Sequence, residues 1–416
     1  MSAIRFIHTA DLHLDSPFGK LSRLDESLAS RLRDAGFRTF SRIVDTALSE
    51  QVDFLLIAGD IFDSEQRSLA AQLGFIKQLK RLSAAAIPVY FNCGNHDPLS
   101  SWMKHLTWPP GVHRFGSEKV ETLVFEKNGE PLAAIAGISF GDKVVTENLA
   151  LRFPPAREEI PFSIALLHGS YGHSAVHAPY APFQLRDVQD KGYDYWALGH
   201  IHKPSLLHEN NPVIAYPGIP QGRDFGESGP RGFYMVELKK GEEAHIEFRE
   251  AAEVLFLEKK VELSEPGRET EQIAEALTEA LPGTPGGAIF RLTLTGRTPM
   301  HRAFAADPAG LLEHINSEWE DAATLMRVDR IDVRTQPELD LDELRGRDDF
   351  TASLLSAFDE TEKDNDRRKE LFEKLEDGFY KHKLLRRVEA LSDEEMKNIV
   401  ERARWLLLDK LLKGEE

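Results

Sequence analysis

Short apolar runs that stop at a polar or acidic residue alternate with stretches of helical periodicity over the first hundred residues. IRFIHTAD and VDFLLIAGD read as buried strands, and PVYFNCGNHD repeats the form with a Gly turn before its polar end. Between them, apolar positions recur at helix spacing over roughly residues 36–51 and 68–85. This alternation predicts an α/β layered architecture, with polar residues at the carboxyl ends of strands, where open α/β sheets place their sites. From about Val120 the pattern becomes strand-rich. VETLVFEKNGEPLAAIAGISFG reads as a hairpin turning at Asn128-Gly129. FSIALLHGS, YDYWALGHIH, PVIAYPG, GFYMVELKKG and AHIEFREA follow as strands. They are expected to form a second sheet, or the second half of a sandwich, that supplies the polar clusters from CGNHD onward, and to complete one domain over residues 1–252.

A βαβαβ pattern comes next, over residues 253–336: strand Leu255–Leu263, helix Glu269–Ala280, strand 288–294, helix 307–319 and strand 326–335. Pro and Gly between residues 282 and 287 punctuate it. It carries no ligand-like cluster, so its expected role is to cap, shape or gate a site made elsewhere. Residues 337–416 are charged and helical, ending in an apolar-rich helix over 396–412 that contains Trp405-Leu406-Leu407-Leu408.

The 416 residues exceed one typical core, so two or three domains are expected. There is no run of about 18 apolar residues, which excludes a transmembrane helix. The start runs straight into a strand, so no signal peptide is expected. The single Cys93 excludes an internal disulfide framework and suits a reducing cytoplasm. The net charge of −18 argues against a stand-alone DNA binder that grips phosphates through a basic stripe. It leaves a metal-dependent phosphoesterase open, because bound cations bring their own positive charge.

Five clusters at strand ends carry the chemistry: Asp11 and His13, Asp60, Asn95 and His96, His168, and His200 and His202. Mixed oxygen and imidazole donors suit first-row divalent metals, and two such ions a few Å apart form a clamp for in-line displacement at phosphorus. Asp11 and His13 are two apart and would share a face in a regular strand. One consistent allocation gives the first metal Asp11, His13, Asp60 and His202. The second takes Asp60, Asn95, His168 and His200, with Asp60 bridging. Alone, each cluster reads equally as a turn, a cap or a surface loop. All five in order point to a two-metal site. His8 reads as a core or supporting residue, and Cys93 as small buried packing. His173 and His177 lie in a loop, Asp15 and Ser16 suit a helix cap, and Arg223 and Arg231 suit either phosphate contact or the surface.

The order D-x-H, GD-x-x-D, GNHD, H, GH-x-H resembles the calcineurin-like metallophosphoesterase superfamily. ADLHLDSPF and YPGIPQG are more specifically similar to SbcD-type DNA repair nucleases, in the YhaO-type branch. The resemblance implies a four-layer α-β-β-α sandwich, a smaller βαβαβ capping domain and a helical C-terminal tail. It implies two divalent ions, Mn2+ first and Fe2+, Zn2+ or Mg2+ as alternatives, with an ion-bridging hydroxide attacking phosphorus. His96 is then the general acid, and Asp63 matches a position that orients this histidine in related phosphatases. Further implications are DNA as substrate, an SMC-like coiled-coil ATPase docked through the C-terminal helices, and a homodimer. Three functions stay open: a DNA exo- or endonuclease of double-strand-break repair, a phosphoesterase for small molecules or phosphoproteins, and a DNA-end-binding or tethering subunit.

Overall fold

The computed structural model describes residues 2–16, 26–63, 68–101, 107–172, 180–281, 286–320, 322, 324–379 and 392–412. β1 (Ala3–Thr9), α1 (Glu26–Ser49), β2 (Phe54–Ala58), α2 (Leu69–Ala84), β3 (Val89–Asn92) and β4 (Val112–Arg114) follow one another. β1 to β4 are parallel neighbours. β2 is buried on both faces, as a continuous apolar run in a covered parallel sheet should be. α1 starts ten residues earlier than the expected helix, and its early turns bury Leu32 and Ala35. α2 opens at Ser68, whose side chain accepts from Ala71 N–H at 3.0 Å, and turns Ala71, Phe75, Leu79 and Leu82 inward.

The second sheet contains β5 (Glu121–Lys127), β6 (Glu130–Gly137), β7 (Phe162–His168), β8 (Tyr195–Gly199), β9 (Ser205–His208) and β10 (Val213–Tyr216), in the order β5-β6-β7-β8-β10-β9. The short α3 (Arg186–Gln189) lies between β7 and β8 in sequence. β11 (Gly232–Lys239) and β12 (His245–Glu250) do not extend this sheet. They return to the first one, giving the order β12-β11-β1-β2-β3-β4, with β11 antiparallel to β1. The third cluster, after β3, therefore belongs to the first sheet; only the fourth and fifth arise from the second. Strand count and apolarity do not distinguish these assignments, because an edge strand is chosen by its hydrogen-bond partner.

Three apolar layers result. Phe40, Ile43, Phe75 and Leu79 pack on the outer face of the first sheet. Phe6, Phe54, Phe115, Phe125, Ile164 and Tyr195 fill the space between sheets, with Phe6 stacked on Phe54 at 4.9 Å and edge-on to Tyr195 at 5.3 Å. Full burial of each such ring contributes roughly 1.5–3 kcal/mol, so the two sheets are held rigidly face to face. Ile138, Phe140, Phe153 and Trp196 cover the outer face of the second sheet. Among the described residues, the helical elements on that side include a 3-10 turn and the four-residue α3.

β13 (Leu255–Leu263), α4 (Glu269–Ala280), β14 (Gly287–Thr298), α5 (His301–Ala306), α6 (Pro308–Ser317) and β15 (Leu325–Val333) make the βαβαβ block, with its three strands parallel. Residues up to 296, with 303–335, form one compact unit. Residues 297–302 with 336–416 form the other. It contains the short β16 (Gln336–Pro337), α7 (Leu341–Arg345), α8 (Phe350–Lys363), α9 (Asn365–Phe379) and α10 (Asp393–Leu412). Leu344, Leu355 and Leu408 are its core, with Trp405 against them. α10 buries Met396, Val400, Arg404 and Leu408 at four-residue spacing and leaves Ile399, Leu406 and Leu407 exposed. Among the described residues no helix is long and apolar enough to cross a membrane.

Candidate metal centre

Asp11 and His13 lie beyond the end of β1, both with left-handed backbone (φ 51° and 43°). Strand alternation is therefore not what brings them together. Their segment instead runs beside the one after β2. Asp11 N–H donates to Gly59 O at 3.0 Å, His13 N–H to Asp60 O at 3.0 Å, and Leu14 N–H to Ile61 O at 2.8 Å. Asp60 (φ 50°) and His200 (φ 103°) also have positive φ, a strain that non-glycine residues sustain where the surroundings over-determine it, and that clusters at functional sites. The buried Asp97 ties two of the loops: it accepts from Gly94 N–H at 2.9 Å and Ile61 N–H at 3.0 Å.

The five strand tips meet. Donor atoms of Asp11, His13 and His202 lie within 4.8 Å of one another, as do those of Asp60, His168 and His200. Asp60 Oδ2 is 3.9 Å from His13 Nε2 and 3.4 Å from His168 Nε2, between the two groups. Asn95 Oδ1 is 3.1 Å from both His168 Nε2 and His200 Nδ1. His200 N–H reaches both oxygens of Asp11, at 3.0 and 3.1 Å. Asp11, His13, Asp60, Asn95 and His168 are all buried. His96 stands at the rim with a side chain 39% exposed.

Three imidazoles are oriented alike. His168 Nδ1 donates to Ala58 O at 2.9 Å, His202 Nδ1 is 2.7 Å from Glu227 Oε1, and His13 Nδ1 is 2.9 Å from Asp63 Oδ1. His168 and His202 keep Nε2 for the interior, as metal-binding histidines do when an outer carbonyl or carboxylate fixes the tautomer, while His13 Nδ1 meets Asp63 at ion-pair distance without hydrogen-bond geometry. His13 Nε2 and His202 Nε2 face each other at 3.1 Å, an arrangement that one shared cation, or one proton, satisfies. The residues thus fit divalent ions by donor chemistry, burial and tautomer.

Burial lowers the pKa of His13 to about 4 and that of His200 to about 3, favouring the neutral ligand form. Burial raises Asp11 to about 6, against the pull of His202 and His168. Burial also opposes charge on His168, but the Asp60 carboxylate beside it prevails and raises its pKa to about 9. For Asp60 burial is likewise overcome, here by His168, and its carboxyl is held well below the usual range. Asp60 and His168 thus shift each other toward their charged forms, at the 3.4 Å between Oδ2 and Nε2.

Asp63 departs from its expected role. Its backbone carbonyl, not its carboxylate, meets His96 Nδ1, at 2.7 Å. The carboxylate oxygen is 3.8 Å from that nitrogen and engages His13 and Arg223 instead. Arg223 is half-buried among Asp63, Glu227 and His202. Arg231 is buried and donates to the carbonyls of His202, Glu227 and Ser228; neither arginine is a free surface group. The strand-end patterns single out neither Glu227 nor Asp97. Asp97 closes GNHD, and Glu227 sits four residues after Arg223 in RDFGE. His8 is buried with Nδ1 2.9 Å from Tyr195 Oη, and Cys93 is fully buried. Asp15 accepts from Ser68 N–H at 2.9 Å, at the start of α2. His173 and His177 lie outside the described residues.

Two stacked mixed sheets with histidine and aspartate clusters at their strand tips define a metallophosphoesterase. Residues 4–204 match the calcineurin-like phosphoesterase family, and residues 262–336 match the middle domain of metallophosphoesterase YhaO. The chain is 36% identical to the uncharacterized metallophosphoesterase YhaO of Bacillus subtilis, across 99% of this chain and 98% of that one. It therefore belongs to the calcineurin-like metallophosphoesterase superfamily, in the YhaO branch. More distant relatives are the DNA double-strand break repair protein Mre11 of Saccharolobus solfataricus and one of the subunits of nuclease SbcCD of Bacillus subtilis. The first is 30% identical across 57% of this chain and 61% of that one. The second is 25% identical across 58% of this chain and 68% of that one.

Proposed function

We propose that the protein is a two-metal phosphodiesterase that cleaves DNA, of the double-strand-break repair type, with Mn2+ as its working ion. The observation that carries this reading is the position of Asp60 Oδ2 between the two imidazole clusters. Repair nucleases among its relatives supply the substrate class. Asp11, His13, Asp60 and His202 would hold one ion, and Asp60, Asn95, His168 and His200 the other. Bound there, the ions supply positive charge for the phosphoryl oxygens and a water acidified toward neutrality. Asn95 orients its amide oxygen through His168 and His200. His96 has Nδ1 committed to Asp63 O, which leaves Nε2 to protonate the leaving oxygen.

Net charge of −18 favours a second reading, a phosphoesterase for small esters or phosphoproteins, since DNA binding through phosphates calls for basic surface. The two are separated by incubating the protein with Mn2+, linear duplex DNA and bis-p-nitrophenyl phosphate. Cleavage of both, with salt-sensitive DNA binding, supports the nuclease. Cleavage of the small ester alone supports the second reading, and cleavage of neither supports a tethering role.

The remaining reading is a cytoplasmic protein, a homodimer, working with a coiled-coil ATPase that docks on the C-terminal helices. The exposed Leu406 and Leu407 of α10 suit a partner groove. Leu406→Glu with Leu407→Glu should abolish co-purification with such an ATPase and spare small-ester hydrolysis; undiminished co-purification removes the docking.

A further inference from the structure

One end of the metal centre is braced by groups outside the five clusters. Glu227 Oε1 is 2.7 Å from His202 Nδ1. Arg223 closes on the same carboxylate, with its backbone N–H 2.8 Å from Oε2 and Nη2 2.8 Å from Oε1. Its Nη1 donates to Asp63 Oδ1 at 2.7 Å, and that oxygen is 2.9 Å from His13 Nδ1. With His13 and His202 in contact through Nε2, the contacts run from His202 through Glu227, Arg223 and Asp63 to His13, the last step an ion-pair contact without hydrogen-bond geometry. A planar guanidinium between two carboxylates fixes the direction of both. The opposite end is braced differently, since His168 donates to Ala58 O, a neutral carbonyl of β2.

The turn that carries Glu227 is held by β13 and β14 of the βαβαβ block. Asp224 accepts from Gly226 N–H at 2.8 Å and starts the 3-10 turn Phe225–Glu227. Phe225 packs edge-on to Phe256 of β13 at 5.2 Å. Arg291 of β14 lies over its ring at 4.0 Å, and Gly229 N–H donates to Phe256 O at 3.0 Å. Phe225, Val254, Phe256 and Ile289 share one apolar cluster with Leu32 and Ala35. Repacking β13 or β14 would therefore shift Glu227, and with it the His202 ring.

We infer that Arg223 and Glu227 are positioning residues for the Asp11–His13–His202 cluster. The βαβαβ block, through β13 and β14 against Phe225, sets how tightly that cluster holds a divalent cation. Groups that orient a metal-binding imidazole from outside typically change metal affinity 10- to 100-fold. The inference rests on reading the clusters as cation sites.

The test is calorimetric titration of the chelator-stripped full chain with Mn2+, with bound metal per chain measured by elemental analysis. Wild type should take two ions in two steps. Glu227→Gln should weaken one step about 10- to 100-fold and leave the other, and Arg223→Lys should lie between. Arg291→Ala and Phe225→Leu, both outside the ligand set, should weaken the same step several-fold. Two unchanged steps in Glu227→Gln overturn the inference. So does equal weakening of both steps in Glu227→Gln and Arg291→Ala, which is what general loosening of the fold would produce. A wild type that binds no Mn2+ fails at the underlying reading instead.

Discussion

The backbone N–H of His96 donates to Asp60 Oδ1 at 2.9 Å, which leaves Oδ2 as the oxygen turned toward both His13 and His168. One carboxylate thus joins the rim to the interior. Asp60→Ala removes the shared oxygen, the acceptor for His96 and the countercharge of His168. Occupancy of both ions should collapse together, as measured by metal content after dialysis. Wild-type content would refute the bridging role.

His96 has a donor near those of His13 and Asp63, but contributes none to the Asp11–His13–His202 or Asp60–His168–His200 groups that would hold the two ions. His96→Ala keeps the backbone N–H, so metal content should stay at the wild-type level. Turnover should drop about 10²- to 10⁴-fold, the usual contribution of a positioned proton donor. If metal and activity fall in parallel, the imidazole is structural.

Gly94 lies against the centre. A Cβ there would overlap Asp60 Oδ1 and come within 2.7 Å of His168 Nε2. Neither can retreat, because both are buried and held by hydrogen bonds. Gly94→Ala should lower stability by roughly 1–3 kcal/mol, the usual range for an overpacked core, and weaken Mn2+ binding. Thermal melting and metal titration read the two effects separately; wild-type values in both would show that the loop yields.

His8 offers a pH signature away from the metal donors. Burial lowers its pKa from 6.5 to about 3. Below pH 6.5 the unfolded chain takes a proton that the folded chain refuses, so acid costs stability from pH 6.5 down to about 3. Within that window the slope from this one site is about 1 kcal/mol per pH unit. His8→Gln stays neutral throughout, so its melting temperature should fall less steeply with acid than that of wild type. Identical slopes would mean that His8 protonates in place.

Much of this centre was legible in sequence because its chemistry is written in short segments. D-x-H, GD, GNHD, H and GH-x-H each end an apolar run, and a strand that ends in a ligand displays it beyond the carboxyl end of the sheet. The βαβαβ block was equally readable, since its strands and helices are local patterns with Pro and Gly between them. Asp63 shows where this stops. Its spacing from Asp60 announced a partner for His96, yet whether carboxylate or carbonyl makes that contact depends on where Arg223 arrives, 160 residues later.

By itself the sequence determined the periodicities, the order of strands and helices along the chain, and the inventory of donors, because these depend on neighbours a few residues apart. Tertiary structure alone decided that β11 and β12 close the first sheet, which oxygen of Asp60 faces both clusters, and that Glu227 backs His202. Those outcomes rest on hydrogen bonds and packing between segments far apart in the chain, and no local spacing encodes a partner that only folding brings near.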